Sequence, residues 1–207
     1  MLSESFSRIN KYVYTYLGYK NIGNVYDLDN DIDSCLFEIE KISQFKYIYV
    51  EFTKLLPFLN QDAYIKLLKD ASSYYFILTT LGAKIDERIK YYSKFDMKKG
   101  LIFDACASAY LEYMADNYED QNFIKPHTFR FCPGYGGTKT NDLREIFKYI
   151  DNEKIGVTLL DSNLMIPQKS MCGIIGIGIE SKKECGKCLI FDKCEFRKRN
   201  TVCYKKN

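Results

Sequence analysis

The longest helical repeat in the chain runs from about Lys99 to Tyr118, where Phe103, Ala107, Tyr110, Leu111, Met114 and Tyr118 recur on one stripe. A helix of that length gains little stability from propensity alone and must bury this stripe against another layer. The sequence offers such layers on both sides. Apolar, β-rich runs at Phe45–Phe52 (FKYIYVEF), Ser72–Thr80 (SSYYFILTT) and Met171–Ile179 read as strands, the last interrupted by Gly173, Gly176 and Gly178. Shorter strands are predicted at Thr128–Cys132 and Val157–Leu160, with a loop over Pro133–Gly137. Further helices are predicted at Ser5–Tyr16, Asp31–Ser43, Ala63–Ala71, Lys84–Tyr92 and Asp142–Ile150, the last capped by Thr140 or Asn141. Helices and strands interleave without the strict alternation of a parallel doubly wound sheet. The expected fold is α+β, a mainly antiparallel twisted sheet flanked by helices.

Charge divides the chain in two. Residues 182–207 hold nine Lys or Arg against three acids, a net +6, whereas residues 1–181 sit near −3. Four of the eight cysteines, Cys185, Cys188, Cys194 and Cys203, share the basic tail. The expected organisation is therefore an α+β body over residues 1–181 and a basic Cys-rich tail over 182–207. The formal net charge of only +3 argues against wholesale binding of nucleic acid or membrane. No run approaches the roughly 20 apolar residues of a membrane helix. The first twenty residues lack a basic stretch followed by an apolar one, so a cytoplasmic location is expected. In that reducing compartment cysteines bind metal or are buried rather than oxidised. Cys35 and Cys106, on predicted helices, read as buried small hydrophobes.

Chemistry concentrates in the second half. In Arg130-Phe-Cys-Pro-Gly-Tyr-Gly136 an Arg ends a strand, and a Pro-Gly turn then presents an aromatic ring and bare backbone. The glycines permit positive φ and close approach to a ligand. Arg130 offers a planar fork for a carboxylate, and Tyr135 a π face for a cation or a hydroxyl. Together they suit a ligand bearing both a carboxylate and a positive centre; an ordinary β–α loop beside an exposed Arg is the plainer alternative. Upstream, Asp104, Ser108 and Glu112 follow at i, i+4 and i+8, forming one polar ridge on the long helix. That ridge either receives a ligand ammonium or is a solvated face. Ala105, Cys106, Ala107 and Ala109 leave room for a neighbouring backbone. Downstream, a Pro-containing turn reaches Ser170 just before Gly173.

In order, these blocks are DACASAYLEYMAD, RFCPGYG, a helix, and VTLLDSNLMIPQKSMCGIIGIGI. The sequence resembles the activation domain of cobalamin-dependent methionine synthase over roughly residues 78–180, and more loosely before that. It looks like a stand-alone version of that domain. The resemblance implies binding of S-adenosylmethionine, with Arg130 contacting the methionine carboxylate and Tyr135 near the methyl-transfer face. Glu112, or in its place Ser108 or Asp104, would lie near the ligand. The backbone of Pro133, Gly134 and Gly136, and the turn from Ser170 to Gly173, would complete the pocket. Cobalamin would be carried by a partner, either methionine synthase or another corrinoid methyltransferase, and flavodoxin or ferredoxin would supply an electron. A non-catalytic corrinoid adaptor or electron-transfer partner is the alternative. The resemblance requires no general acid or base, which leaves His127 a structural role.

Cys185-x-x-Cys188 is a ligand-like opening, with Cys194 and Cys203 following. Thiolates at such spacing select Zn or an iron–sulfur cluster, with Cys132 and Cys172 as further donors from the body. Unliganded thiols and a redox dithiol are the alternatives. A zinc-ribbon nucleic-acid module is disfavoured by the missing second CxxC and the near-neutral body.

Overall fold

The computed structural model describes residues 9–10, 12–19, 28–179 and 195–198. Residues 9–10 and 12–16 are helical, and Gly18 turns the chain at φ +88°. Then come α1 (Asp29–Ile42), β1 (Lys46–Phe52), α2 (Asp62–Leu68), β2 (Ser73–Thr80), α3 (Ala83–Phe95), α4 (Met97–Asn122) and α5 (Asp142–Phe147). A two-residue ribbon, β3 (Thr158–Leu159) with β4 (Met165–Ile166), precedes β5 (Ser170–Ile177). The main sheet is three-stranded and antiparallel in the order β1-β2-β5, pairing Phe76 with Val50 on one side and Ile174 on the other. The expected α+β class with an antiparallel sheet is therefore what forms.

β2 and β5 are apolar on both faces because both faces are covered. Tyr74, Phe76 and Leu78, with Cys172 and Ile174, enter a core completed by Tyr64, Leu143, Ile146, Ile150 and Val157. Ile77, Ile175 and Ile177 face the other way, against Tyr47, Tyr75 and Phe123. A third core lies among the helices. There α1 contributes Ile32, Cys35, Leu36 and Ile39, and α4 contributes Ile102, Phe103, Cys106, Ala107, Tyr110, Leu111 and Ala115. The small residues of α4 do admit α1 closely: the Cys106 thiol lies 3.9 Å from the Ile32 carbonyl. Cys35 and Cys106 are both buried, as expected.

Three expectations need correction. α4 is longer than expected, 26 residues or about 39 Å. It starts early because the Asp96 carboxylate accepts the Lys99 N–H, and after Gly100 it meets no Gly or Pro until Pro126. α5 is shorter, ending at Phe147, and neither Thr140 nor Asn141 supplies a side-chain cap. It opens instead on backbone bonds from Asp142, Leu143 and Arg144 to the carbonyls three residues back. Thr128–Cys132 is not a regular strand. It touches β5 through two bridges, His127 to Ile177 and Phe131 to Ile174, so four steps on one side oppose three on the other. That extra residue makes a bulge. The Thr128 hydroxyl, not a carbonyl, accepts the Gly176 N–H there.

α3 and α4 form a hairpin around Asp96. A Cβ on Gly100 would stand 2.9 Å from the Ser93 nitrogen and 3.1 Å from its Cα. Gly100→Ala gains about 1 kcal/mol of helix propensity, but it meets backbone that cannot rotate away, and overpacking costs about 1–3 kcal/mol. The clash wins. The variant is expected to unfold at lower denaturant concentration than wild type, with an unchanged m-value.

Candidate functional site

The polar ridge of α4 is half-exposed, and its acids are paired with cations from other elements. At its upper end the Lys169 ammonium, arriving from the turn before β5, pairs with Asp104 at 2.9 Å and donates to Ser108 Oγ at 2.8 Å. Asp86 of α3 secures the same turn by accepting the Gln168 N–H at 2.6 Å. Lower down, Glu112, Asp116 and Glu119 all converge on Arg130.

Arg130 is the centre of this group, and its side chain is only 5% exposed. Nη1 donates to the buried Glu119. Nη2 donates to Glu112 Oε2 at 2.5 Å and Asp116 Oδ1 at 3.1 Å, and Nε lies 3.3 Å from Met171 Sδ. Glu119 also accepts the Tyr47 hydroxyl at 2.9 Å, which links the cluster to β1. Burial raises the Glu119 carboxyl above its ordinary value, although Arg130 and Tyr47 oppose that shift. Burial works against the guanidinium charge too, yet Glu119, Glu112 and Asp116 together hold Arg130 charged. The two outer acids differ from Glu119: Glu112 and Asp116 are 47% and 38% exposed, Glu119 only 6%. Three carboxylates around one guanidinium leave an acidic surplus on the solvent side.

The bulge explains how Arg130 reaches α4, and a glycine makes room for it. A Cβ on Gly173 would stand 2.8 Å from Arg130 Cγ and 3.2 Å from the Phe131 carbonyl. Gly173 thus accommodates the arginine stem. Ser170 is tied elsewhere, its hydroxyl donating to Thr80 Oγ1 at 2.8 Å inside the sheet.

Beyond Arg130 the loop is stapled by Thr138. Its hydroxyl accepts the Gly134 N–H at 3.0 Å and donates to the Tyr135 carbonyl at 2.8 Å. Pro133 is buried, while Gly134 and Gly136 adopt φ of +94° and +59°. A side chain at Gly134 would be strained and would also meet Thr140 Cγ2 at 2.9 Å. This turn leaves Tyr135 64% exposed. Tyr16, on the N-terminal helical turn, belongs to the same neighbourhood. It is about half exposed (47%), and its phenol is raised by partial desolvation and then by Glu112, Tyr135 and Cys132, and lowered by Arg130.

Glu112, Arg130 and Tyr135 are therefore brought into one region, with Gly173 behind them; the Ser170 hydroxyl is directed into the sheet. Asp116, Glu119 and Tyr16 are additions that sequence reasoning missed. The first two continue the helical spacing from Glu112 by one and two turns, which was a usable signal. Nothing in the sequence marked Tyr16. His127 bonds the Thr128 carbonyl at 2.9 Å and packs edge-on against Phe123, consistent with a structural role. Burial, with Cys132 adding to it, pushes the Cys172 thiol well up. Among the described residues no group of three or more His, Cys, Asp or Glu is placed to hold a metal. Cys185, Cys188, Cys194 and Cys203 lie outside the described residues, as does the boundary at 181–182. A separate open recess of about 320 Å³, lined by Ile42, Lys84, Glu87, Arg88 and Tyr91, shares no residue with this cluster. No described helix is long and apolar enough to cross a membrane.

A long helix of a helical hairpin, an antiparallel sheet and a bulged Arg–Gly-loop segment together make an α+β fold. Among solved structures the chain is similar to the crystal structure of the MetH reactivation domain bound to AdoHcy. The TM-score is 0.62 and the identity 13%, over 95% of this chain and 84% of that one. The resemblance read from the sequence thus holds at the level of the fold. No protein-family model matches the chain, and no curated protein matches it.

Removing Arg130 strands Glu119 as a buried, unpaired charge, which costs about 3–5 kcal/mol. Arg130→Met is therefore expected to be strongly destabilised at pH 7. Without the cation, the Glu119 carboxyl rises further, so its protonated form is favoured in the folded state. Stability is then lost as pH rises above the ordinary carboxylate range and regained as pH falls toward it. Denaturant unfolding at pH 7 and pH 5 should show the deficit shrinking at the lower pH; an equal deficit at both would contradict this assignment.

Proposed function

We propose that this chain binds S-adenosylmethionine between α4 and the Arg130–Tyr135 loop and supports the reductive methylation of cobalamin carried by a separate methionine synthase or related corrinoid methyltransferase. The observation that carries the reading is the fold shared with an AdoHcy-bound domain, together with a buried Arg, an acidic rim and an exposed Tyr in one region. The ligand has the matching charges: a carboxylate, an ammonium and a sulfonium. Arg130 takes the carboxylate, Glu112 lies beside the positive groups, and Tyr135 sets its ring or hydroxyl against the sulfonium methyl. The Pro133, Gly134 and Gly136 backbone forms the wall. Ser170 and Gly173 contribute through backbone and by seating Arg130.

In the reaction the methyl–sulfur bond breaks and sulfur keeps the electron pair, so AdoHcy leaves as a neutral thioether. The methyl passes to the partner's cobalt centre, which has first received one electron from a flavodoxin or ferredoxin. The chain's own part is binding, orientation and exclusion of water, with no proton transfer.

One observation favours the second reading, a corrinoid adaptor or electron-transfer partner that does not use S-adenosylmethionine: Arg130 already holds three carboxylates. Calorimetric titration of S-adenosylmethionine and of AdoHcy separates the two. Because Arg130→Met compromises the fold, the informative variants are Tyr135→Ala, at an exposed position, and Arg130→Lys, which keeps the charge but loses the fork. Saturable binding by wild type, weakened about tenfold or more in both variants, is expected for a binding site. No heat of binding with either ligand in wild type would leave only the adaptor.

For the tail we propose that Cys185, Cys188, Cys194 and Cys203 bind Zn or an iron–sulfur cluster, the cluster being suited to electron delivery and Zn to folding of the tail. Elemental analysis and the visible spectrum of anaerobically purified protein should show about one Zn or one cluster per chain. Cys185→Ser with Cys188→Ser should abolish it. Metal-free wild type would leave these residues as thiols.

A further inference from the structure

The guanidinium of Arg130 has an inner and an outer side, and its partners differ accordingly. Nη1 faces Glu119, which is buried and also bound by Tyr47. Nη2 faces Glu112 and Asp116, two half-exposed acids one turn apart on α4. A carboxylate arriving from solvent meets only the outer nitrogen, and it must compete there with Glu112 and Asp116. A lone carboxylate would be repelled by those acids. An α-amino acid head group is not, because its ammonium gives the displaced acids a new partner.

We propose that Glu112 and Asp116 exchange partners on binding: the ligand carboxylate takes Arg130 Nη2, and the two released acids take the ligand ammonium. The two internal ion pairs of Nη2 are replaced by pairs to the ligand's two charges, so the site selects a zwitterion rather than either charge alone. This rests on the binding site of the preceding reading and deepens it by assigning Asp116 a role in ligand specificity. Glu119 keeps Nη1 throughout and is a positioning residue, holding the fork so that Nη2 points outward. Lys169, the next cation along the ridge, stays with Asp104 and Ser108 and does not compete for the released acids.

Two ligands, each lacking one charge, test the exchange. Decarboxylated S-adenosylmethionine keeps the ammonium, and the deaminated analogue of AdoHcy keeps the carboxylate. Each is titrated calorimetrically into wild type and Asp116→Asn, with S-adenosylmethionine alongside. The substitution removes an ammonium acceptor and also a competitor for Nη2. Decarboxylated ligand should therefore bind about tenfold more weakly to the variant, and deaminated ligand severalfold more tightly. Glu112→Gln should move the two ligands in the same opposed directions, so the test survives if one variant folds poorly. Affinities that shift in the same direction for both ligands, or in neither variant, overturn the exchange. If wild type still binds S-adenosylmethionine in that case, the preceding reading stands. If wild type takes up none of the three ligands, both fall together.

Discussion

The buried charge of Arg130 is the constraint on which the rest of the site depends. An isolated guanidinium taken out of water costs several kcal/mol, so the fold must bring it counter-charges, and among the described residues those it pairs with lie on α4. That requirement explains the acids at Glu112, Asp116 and Glu119 on successive turns of one helix. It explains the bulge before Arg130, because a regular ladder would pin residues 127–131 flat against β5. It also explains the bare backbone at Gly173, where any side chain would collide with the arginine stem.

The same contacts tie the layers of the molecule together. Tyr47 brings β1 to Glu119, Met171 brings β5 to Arg130, and Lys169 joins the entry of β5 to α4 while Asp86 of α3 holds that turn. The polar seam between helices and sheet is thus satisfied from several elements at once, and the apolar cores on either side need only fill space. The Nη2 contacts to Glu112 and Asp116 form one edge of this network, and its buried part at Nη1 does not depend on them.

Periodicity made most of the fold legible. The stripe on α4, the alternation in β1 and the double-sided apolar runs of β2 and β5 follow from local patterns, and the corresponding elements formed within a few residues of expectation. The site was legible in its parts but not in its wiring. Arg130, Tyr135 and Glu112 were picked out as groups facing a ligand; that Arg130 would first be enclosed by acids of its own chain depends on a contact across 11 to 18 residues and through a bulge. Bulges leave little trace in composition. The short α5 shows the same limit: Asn141 has the chemistry of a cap, but its backbone is helical at φ −64° and ψ −19°, which denies it the geometry.

An identity of 13% alongside a TM-score of 0.62 is what such a division of labour allows. Cores accept many apolar sequences of suitable volume and pattern, so Tyr and Phe can carry the packing here without any Trp. A buried cation is far less forgiving, since replacing it strands its partners. Any chain that keeps this arginine must also keep an acid on the facing helix and a small residue behind the stem. The Arg–acid–Gly set is therefore a coupled unit. Changing Glu112 or Asp116 leaves the buried pair of Arg130 and Glu119 in place and acts on the rim, whereas changing Glu119 removes the counter-charge on which the burial of Arg130 rests. The half-exposed rim and the buried pair are thus separated by the two nitrogens of one side chain.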